Sequence, residues 1–303
     1  MEKTLIVILG PTGVGKTELS ISIAEKYKTD IISCDSRQIY RQLRIGTAVP
    51  EPEYLQRINH HFIQCRNLDE YYNASMFECE VIDLLDHLFK TNDQVIMTGG
   101  SMLYIDAVCN GIDDLPTVTP EIRDNLLSRY QKEGLEPLCN ELLKLDPVYY
   151  KEVDLRNHKR VLHALEICQM TGKPFSELRT RTIKERNFST LKIGLNRDRE
   201  ELYQRINKRV IQMVNDGLVD EALAVLPYRN SNALNTVGYK EMFAYLDGLL
   251  TLDEAIDLIQ RNTRKYARKQ LTWFRRDQTV NWFNPDEPEK IISFLDLKIN
   301  NSK

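Results

Sequence analysis

The sequence lacks the features that mark a membrane-spanning, disulfide-linked or zinc-binding protein. No run of about 18 apolar residues occurs in the chain, so we predict no transmembrane helix. The six cysteines include no C-x-x-C pair and are never closer than fourteen residues, which argues against a zinc site or a disulfide framework. We therefore expect free thiols in a reducing compartment, and a cytoplasmic protein.

Bulk positive charge is also missing. The formal net charge is −3, so any nucleic-acid site must be a local basic patch. The first predicted strand begins almost at Met1, and we expect no signal peptide. A length of 303 residues allows two domains, or one domain with a large insertion. Nothing in the sequence demands a dimer, and we expect a monomer.

The clearest positive feature is a phosphate-binding loop at residues 10–17. It fits the pattern G-x-x-x-x-G-K-[ST], and it lies between an apolar run at 5–9 and a helical pattern at 18–27. Backbone N–H groups of such a loop converge on phosphate, while the lysine adds charge and the hydroxyl can bind Mg²⁺. The loop predicts a bound diphosphate or triphosphate, held by Gly10, Pro11, Thr12, Gly13, Val14, Gly15, Lys16 and Thr17.

Asp35 follows a second predicted short strand, residues 30–34. Polar groups at the carboxyl end of a strand beside a phosphate loop are where doubly wound sheets bind ligands. An aspartate at a strand–helix junction is also a common helix cap. Both interpretations, a chemically active carboxylate and a cap, remain open from the residues alone.

A third predicted strand, residues 94–97, carries no aspartate where many P-loop nucleotidases hold magnesium. This absence argues against a standard ATPase. The pair His60 and His61 has no nearby cysteine or carboxylate pattern, so a structural role is favoured over metal binding.

The pattern becomes helical from about residue 112. We predict a catalytic core in two parts, residues 1–111 and 191–303, with an all-helical insertion at 112–190. The fold class is therefore α/β, a parallel sheet containing the phosphate loop, with flanking helices and an inserted helical domain. The insertion has cations close together, and a solvated helix face or an anion-binding surface would each explain them: Arg156, His158, Lys159, Arg160 and His163.

A second group of cations lies near the C-terminus. Seven fall at helical spacing between residues 261 and 276, with aromatic residues among them and no acid. Their mutual repulsion favours a nearby anion, either the loop-bound phosphate or a polynucleotide backbone, over a solvated face. The seven are Arg261, Arg264, Lys265, Arg268, Lys269, Arg275 and Arg276.

Together these motifs closely resemble the tRNA dimethylallyltransferases, also called tRNA isopentenyltransferases, of the bacterial type. The similarity runs nearly end to end, through residues 10–17, 35–40, 45–48, 99–104, 160–166, 171–173, 205–209, 217–218, 238–241 and 270–274. We expect no C-terminal zinc finger of the kind found in eukaryotic relatives, which favours the bacterial type.

The resemblance implies a reaction and roles for residues. A dimethylallyl group would move from dimethylallyl diphosphate to N6 of the adenosine 3′-adjacent to the anticodon, in tRNAs that read codons starting with U. Asp35 would be the base, with Lys16 and Thr17 also catalytic and Mg²⁺ on Thr17. The loop would hold a diphosphate leaving group without hydrolysing a nucleotide. The implied contacts to the tRNA anticodon stem-loop are Asp35, Ser36, Arg37, Gln38, Ser101, Arg123, Lys159, Arg160, Val161, Leu162 and His163.

The sequence departs from the family pattern in several places. Ser101 replaces a threonine, Val49 replaces a lysine, and Asn157 and His163 replace an aspartate and an arginine. These differences concern the predicted contacts with tRNA more than the predicted binding site for the diphosphate donor.

Three other functions remain as alternatives. An adenylate isopentenyltransferase would not need the insertion. A P-loop small-molecule kinase would normally carry the missing aspartate and a lid arginine cluster. A guanine-nucleotide switch would need N-K-x-D, whereas Asn207-Lys208 continues into Arg209-Val210.

Overall fold

The structure, a computed structural model, describes residues 2–301. Its sheet has six parallel strands in the spatial order β3-β2-β4-β1-β5-β6. The predicted α/β class with a parallel sheet is confirmed. The strands are β1 (Thr4–Leu9), β2 (Ile31–Ser33), β3 (His60–His61), β4 (Gln94–Gly99), β5 (Ser189–Leu195) and β6 (Asn281–Phe283).

Fourteen helices are present in the described part of the chain. Those before the helical segment are α1 (Lys16–Tyr27), α2 (Pro52–Arg57), α3 (Ala74–Leu88) and α4 (Met102–Asn110). The helical segment contains α5 (Pro120–Glu133), α6 (Glu136–Leu145), α7 (Pro147–Glu152), α8 (His158–Thr171) and α9 (Phe175–Leu178). After it come α10 (Arg199–Asn215), α11 (Leu218–Ala224), α12 (Tyr239–Leu246), α13 (Leu252–Phe274) and α14 (Pro288–Asn301), with short 3-10 turns at Leu226–Tyr228 and Asn232–Leu234.

The chain divides into two compact units, one containing residues up to Cys109 and from Arg186 onward, the other containing Asn110–Glu185. The second unit begins slightly before the predicted residue 112. It ends before residue 190 because Ser189 is already paired with Thr4 in the sheet. The predicted end of the insertion therefore lies inside β5.

The sheet unit is organised around β1, which is buried along its whole length. Ile6 and Ile8 pack with Ile193 of β5 and with Ile206 of α10, and these four residues are at most 1% exposed. A central parallel strand is covered by helices on both faces, which explains why residues 4–9 are a continuous apolar run.

The helical unit has its own core. Leu126, Leu138, Leu142, Val161 and Leu165 come from α5, α6 and α8, and none is measurably exposed. No helix within residues 2–301 combines the length and the apolar character that crossing a bilayer requires.

The histidine pair forms the short edge strand β3. His61 Nε2 lies 2.8 Å from Asp30 Oδ2, and His60 Nδ1 lies 2.7 Å from the Ile58 carbonyl. These contacts connect the pair to its neighbours in the sheet.

Candidate active site

The predicted site residues of the sheet unit lie after the carboxyl ends of β1, β2 and β4. Because these strands are parallel and adjacent, their carboxyl ends meet at one edge of the sheet. The phosphate loop follows β1, Asp35 follows β2, and Ser101 follows β4. The fold thus brings together residues that are far apart in sequence.

The backbone of the phosphate loop requires glycine, as Gly15 and Gly10 show most clearly. Gly15 precedes α1 with φ of 108°, a left-handed conformation that other residues rarely adopt. Gly10 has φ of 152°, and a Cβ there would lie 2.7 Å from the Leu195 carbonyl oxygen of β5. The loop is therefore pressed against β5.

Lys16 lies inside the loop. Its ammonium donates to the carbonyl oxygens of Gly10 and Pro11, both at 2.9 Å. Burial, with a smaller effect of the Arg209 guanidinium, lowers the pKa of Lys16 to about 8. The carboxylate of Asp35 opposes this change, so Lys16, Arg209 and Asp35 interact electrostatically.

Three arginines that were not predicted from the sequence as site residues contact the phosphate loop. Arg205 Nε donates to the Gly13 carbonyl at 3.0 Å, and Arg209 Nη1 lies 3.4 Å from Thr12 Oγ1. Arg197 Nε donates to the Val14 carbonyl at 2.8 Å. Arg205 and Arg209 are four residues apart on α10, beside its buried residue Ile206, and this i, i+4 spacing was the signal available in the sequence.

Gln270 of α13 joins two of the loops. Its Oε1 accepts the Thr12 N–H at 2.9 Å, and its Nε2 donates to the Gly100 carbonyl at 2.8 Å. The side chain is almost wholly buried. It therefore fixes the distance between the phosphate loop and the segment after β4.

Asp35 holds a turn through one carboxylate oxygen and leaves the other oxygen open. Its Oδ1 accepts the N–H groups of Arg37 at 2.9 Å and Gln38 at 3.4 Å. Its Oδ2 has no hydrogen-bond partner among residues 2–301. Asp35 is therefore not a helix cap, since the next helix begins only at Pro52. One of its oxygens holds a turn, and the other is open to a ligand in the cavity.

Ser101 and Ser36 lie next to this carboxylate. The Ser36 N–H donates to Ser101 Oγ at 2.8 Å, and the two hydroxyl oxygens are 3.1 Å apart. Gln38 connects the Asp35 turn to a second turn, because its Nε2 donates to the carbonyls of Thr47 at 3.1 Å and Ala48 at 2.9 Å.

That second turn is held by Glu221, a residue the sequence did not single out. Its carboxylate accepts the backbone N–H groups of Arg44, Ile45 and Gly46 at 2.7–2.8 Å. It also accepts the Tyr239 hydroxyl at 2.6 Å. Glu221 therefore positions the turn from a helix about 175 residues away in sequence.

Two cavities meet at Asp35. The first, about 510 Å³, is lined by the phosphate loop with Lys16, Thr17 and Arg205. The second, about 480 Å³, is lined by Arg37 and Ser101 and by residues of α12 and α13. Both are of the size that binds small molecules. The residues that line both are Thr12, Asp35, Thr47, Arg209 and Tyr266.

The first cavity has a donor set that fits Mg²⁺ bound together with a phosphate ligand. Thr17 lines the cavity, and its hydroxyl has no hydrogen-bond partner within the described chain. No group of three or more His, Cys, Asp or Glu side chains in residues 2–301 could form a separate metal site. Mg²⁺ retains water and binds few protein ligands when phosphate oxygens are available.

The remaining predicted residues lie in the helical unit. Lys159, Arg160 and His163 are exposed on α8, while Val161 and Leu162 are buried in the core. The side chains of these two residues therefore pack inside the unit, and their expected contact with tRNA stays a prediction that exposed side chains do not support.

Arg123 of α5 belongs to an ion-pair cluster in the same unit. Its Nε lies 3.3 Å from Glu166 Oε1, and His163 Nδ1 lies 3.4 Å from Glu166 Oε2. Asn157 caps α8 by accepting the Arg160 N–H. The substituted positions Asn157 and His163 therefore have local structural contacts.

The fold and the loop define the chain as a P-loop protein of the α/β class. The model of the IPP transferase family matches residues 38–277. The chain is 58% identical to tRNA dimethylallyltransferase 1 of Phocaeicola vulgatus, over 97% of this chain and 98% of that protein. It is equally similar to tRNA dimethylallyltransferase 1 of Bacteroides fragilis, 58% identical over 98% of this chain and 99% of that protein.

Solved structures give the same result. The full-length tRNA isopentenylpyrophosphate transferase of Bacillus halodurans superimposes with a TM-score of 0.72 and 34% identity, over 99% of this chain and 98% of that one. A eukaryotic dimethylallyltransferase acting on tRNA superimposes with a TM-score of 0.82 and 26% identity, over 99% of this chain and 80% of that one. The chain belongs to the IPP transferase family of tRNA dimethylallyltransferases, and the resemblance found in its sequence is confirmed.

Proposed function

We propose that this protein transfers a dimethylallyl group from dimethylallyl diphosphate to N6 of the adenosine 3′-adjacent to the anticodon, in tRNAs reading codons that start with U. One observation carries the proposal most directly: Asp35 lines both the phosphate-loop cavity and the neighbouring cavity. A donor in the first and an acceptor base in the second would meet at its carboxylate.

The first cavity suits a diphosphate leaving group. Lys16, Arg205 and Arg209 line it, with Asp35 and Glu18 as the lining carboxylates. These cations would stabilise negative charge that develops on the departing diphosphate. Mg²⁺, when bound with the diphosphate, would neutralise part of the same charge, and Thr17 would be its protein ligand.

The adenine N6 amine is a weak nucleophile because its lone pair is delocalised into the ring. As the new C–N bond forms and the C–O bond to the diphosphate breaks, the nitrogen must lose a proton. Asp35 Oδ2 is the acceptor in this proposal, since Oδ1 is already hydrogen-bonded to Arg37 N and Gln38 N. The products are the N6-dimethylallyl adenosine, the diphosphate and a proton on Asp35.

The acceptor base is stacked in the anticodon loop and must leave the stack to reach Asp35. Ser36, Arg37 and Ser101 line the second cavity beside Asp35 and would contact the extruded nucleotide. The exposed Lys159, Arg160 and His163, with Arg123, would contact the anticodon stem-loop from the helical unit. We further expect that the protein acts in the cytoplasm as a monomer.

Incubation with radiolabelled dimethylallyl diphosphate tests the proposal. The acceptor is either unmodified tRNA or AMP, and the label recovered in each is compared. The proposed function predicts label in tRNA alone. Label in AMP with none in tRNA would instead indicate an adenylate isopentenyltransferase, and label in neither would remove the proposal.

A further inference from the structure

A third cavity lies in the sheet unit, away from Asp35. It has a volume of about 670 Å³ and is formed between the segment that follows β5 and the second half of α13. We call it the arginine groove, because four arginines line it: Arg197, Arg199, Arg268 and Arg275. None of these four lines either of the two cavities at the active site.

The positive charge of the groove is only partly neutralised. Arg197 is fully engaged by the Val14 carbonyl and by the carboxylates of Glu201 and Asp286, at 2.5–2.8 Å. By contrast, the side chains of Arg268 and Arg275 make no hydrogen bond or ion pair with any residue from 2 to 301. Both are exposed.

The other charged groups that line the groove do not supply the missing partner. Arg199 Nε donates to the Tyr203 hydroxyl at 3.2 Å, a contact that supplies no negative charge. Asp198, the single carboxylate of the lining, uses Oδ1 to accept the N–H groups of Glu200 and Glu201 at the start of α10. Three arginines without a carboxylate partner therefore share one concave surface.

The position of these residues on α13 separates them from the active-site cations. Arg268 lies on α13 and Arg275 is the residue that caps its C-terminus with helical backbone angles, so the two, seven residues apart, lie on the same side of the helix. Lys265 and Lys269 line the second cavity with Tyr266. The C-terminal cations thus divide between two faces, whereas the sequence had suggested a single group.

The contacts of Tyr203 indicate which chemical group the groove can bind. The Arg199 guanidinium lies 5.3 Å from the centre of the Tyr203 ring, and the Arg264 guanidinium lies 5.9 Å from it. Because both guanidinium groups interact with this ring, it does not offer a platform on which a base could stack. The groove offers guanidinium forks, which match phosphate geometry.

We propose that the arginine groove binds phosphate groups of the tRNA backbone at a site separate from the catalytic cavities. This inference rests on the proposed function, because it takes tRNA as the polyanion that this protein binds. A polyanion such as an RNA backbone is favoured because three arginines without a carboxylate partner line one open surface. Each phosphate contact releases counterions, so the groove adds to the salt dependence of binding.

The test compares tRNA binding by the double variant R268A/R275A with wild type over a series of salt concentrations. The control K90A/K290A removes two exposed cations that line none of the three cavities. The dissociation constant for tRNA should rise about tenfold or more in R268A/R275A at about 0.1 M salt, and the salt slope should fall by about 2. The control should bind tRNA as wild type does.

Inhibition by pyrophosphate checks that the variant is folded, and it should match wild type. Unchanged tRNA affinity and salt slope in a folded R268A/R275A variant would overturn the inference. Binding of tripolyphosphate is measured on the same variants. If R268A/R275A loses tripolyphosphate binding but keeps its affinity for tRNA, the groove binds a free polyphosphate, and the inference is also overturned. If wild type itself transfers no label to tRNA, the proposed function fails instead, so the two failures are distinguishable.

Discussion

The Tyr239 hydroxyl donates a hydrogen bond of 2.6 Å to the same Glu221 oxygen that accepts the Gly46 N–H. Burial and the adjacent carboxylate hold the pKa of Tyr239 far above its ordinary value, so the hydroxyl remains a donor. A Cβ at residue 46 would lie 2.7 Å from the Tyr239 ring. Tyr239 and Glu221 thus clamp the turn whose carbonyls accept Gln38 Nε2, next to Asp35.

Glu221→Ala should slow prenyl transfer without weakening diphosphate binding. It leaves three backbone N–H groups without their acceptor, so the turn and the attached Asp35 segment lose their fixed position. Small displacements of reacting groups are costly, and we expect kcat to fall by about tenfold or more. Steady-state kinetics with tRNA measure this, and the pyrophosphate inhibition constant should stay near wild type.

Tyr239→Phe is the matched control for this positioning role. It removes one of the four hydrogen bonds to Glu221 and keeps the ring against Gly46, so its kcat should lie between wild type and Glu221→Ala. Equal losses of kcat and of pyrophosphate affinity in Glu221→Ala would indicate general unfolding and contradict a positioning role.

Gly100→Ala should disturb the phosphate loop through Gln270. An added Cβ would collide with Gln270 Nε2, which is held between Gly100 O and Thr12 N by its two hydrogen bonds. Displacing the amide leaves the Thr12 N–H without its acceptor. We expect the pyrophosphate inhibition constant to rise several-fold, which corresponds to the loss of about one or two hydrogen bonds. The double variant G100A/Q270A removes the collision. Its effect on the pyrophosphate inhibition constant should therefore be smaller than the sum of the two single effects, expressed as free energies. Strict additivity of the two changes would argue against this coupling.

The charge of Lys16 should be lost as pH rises through about 8, because its pKa is lowered to that value. The advantage of wild type over Lys16→Met in binding pyrophosphate should therefore be large at pH 7 and shrink toward pH 9.5. Taking the ratio of the two inhibition constants cancels the ionisation of pyrophosphate itself. A ratio that stays constant over this range would show that Lys16 remains protonated throughout.

Asp146→Ala should destabilise the helical unit. Asp146 is fully buried and accepts Tyr149 N, Ser176 N and Ser176 Oγ at 2.7–2.9 Å. Removing these acceptors should lower the unfolding free energy of this unit by about 3 kcal/mol. Hydrogen exchange in residues 110–185 measures the loss. Asp146→Asn keeps one carbonyl acceptor and should lose less unfolding free energy. Equal protection from hydrogen exchange in wild type and Asp146→Ala would contradict the expectation.

The structural elements that could be predicted from the sequence are those with a strong local pattern. A continuous apolar run identified β1, and the loop pattern identified residues 10–17, because both depend on neighbouring residues. The edge strands β3 and β6 were not predicted, since two or three partly buried residues give no apolar run. The end of the insertion was misplaced because the loop before β5 has no strong breaker.

The parts of the site that the sequence did not predict depend on long-range contacts. Gln270 and Glu221 reach segments about 258 and 175 residues away, and no local pattern marks such partners. Val161 and Leu162 were predicted as tRNA contacts together with their exposed neighbours because the resemblance to the family covers residues 159–163 as one motif. The 3.6-residue period of α8 separates these buried residues from Lys159, Arg160 and His163.

The central claim is that Asp35 accepts the proton from the acceptor amine, and single-turnover prenyl transfer by Asp35→Ala tests it most directly. With saturating labelled dimethylallyl diphosphate and unmodified tRNA, we predict a rate lower than wild type by about 10²-fold or more. Pyrophosphate inhibition should be retained, because the phosphate loop is unchanged. A transfer rate near that of wild type in the folded variant would contradict the claim.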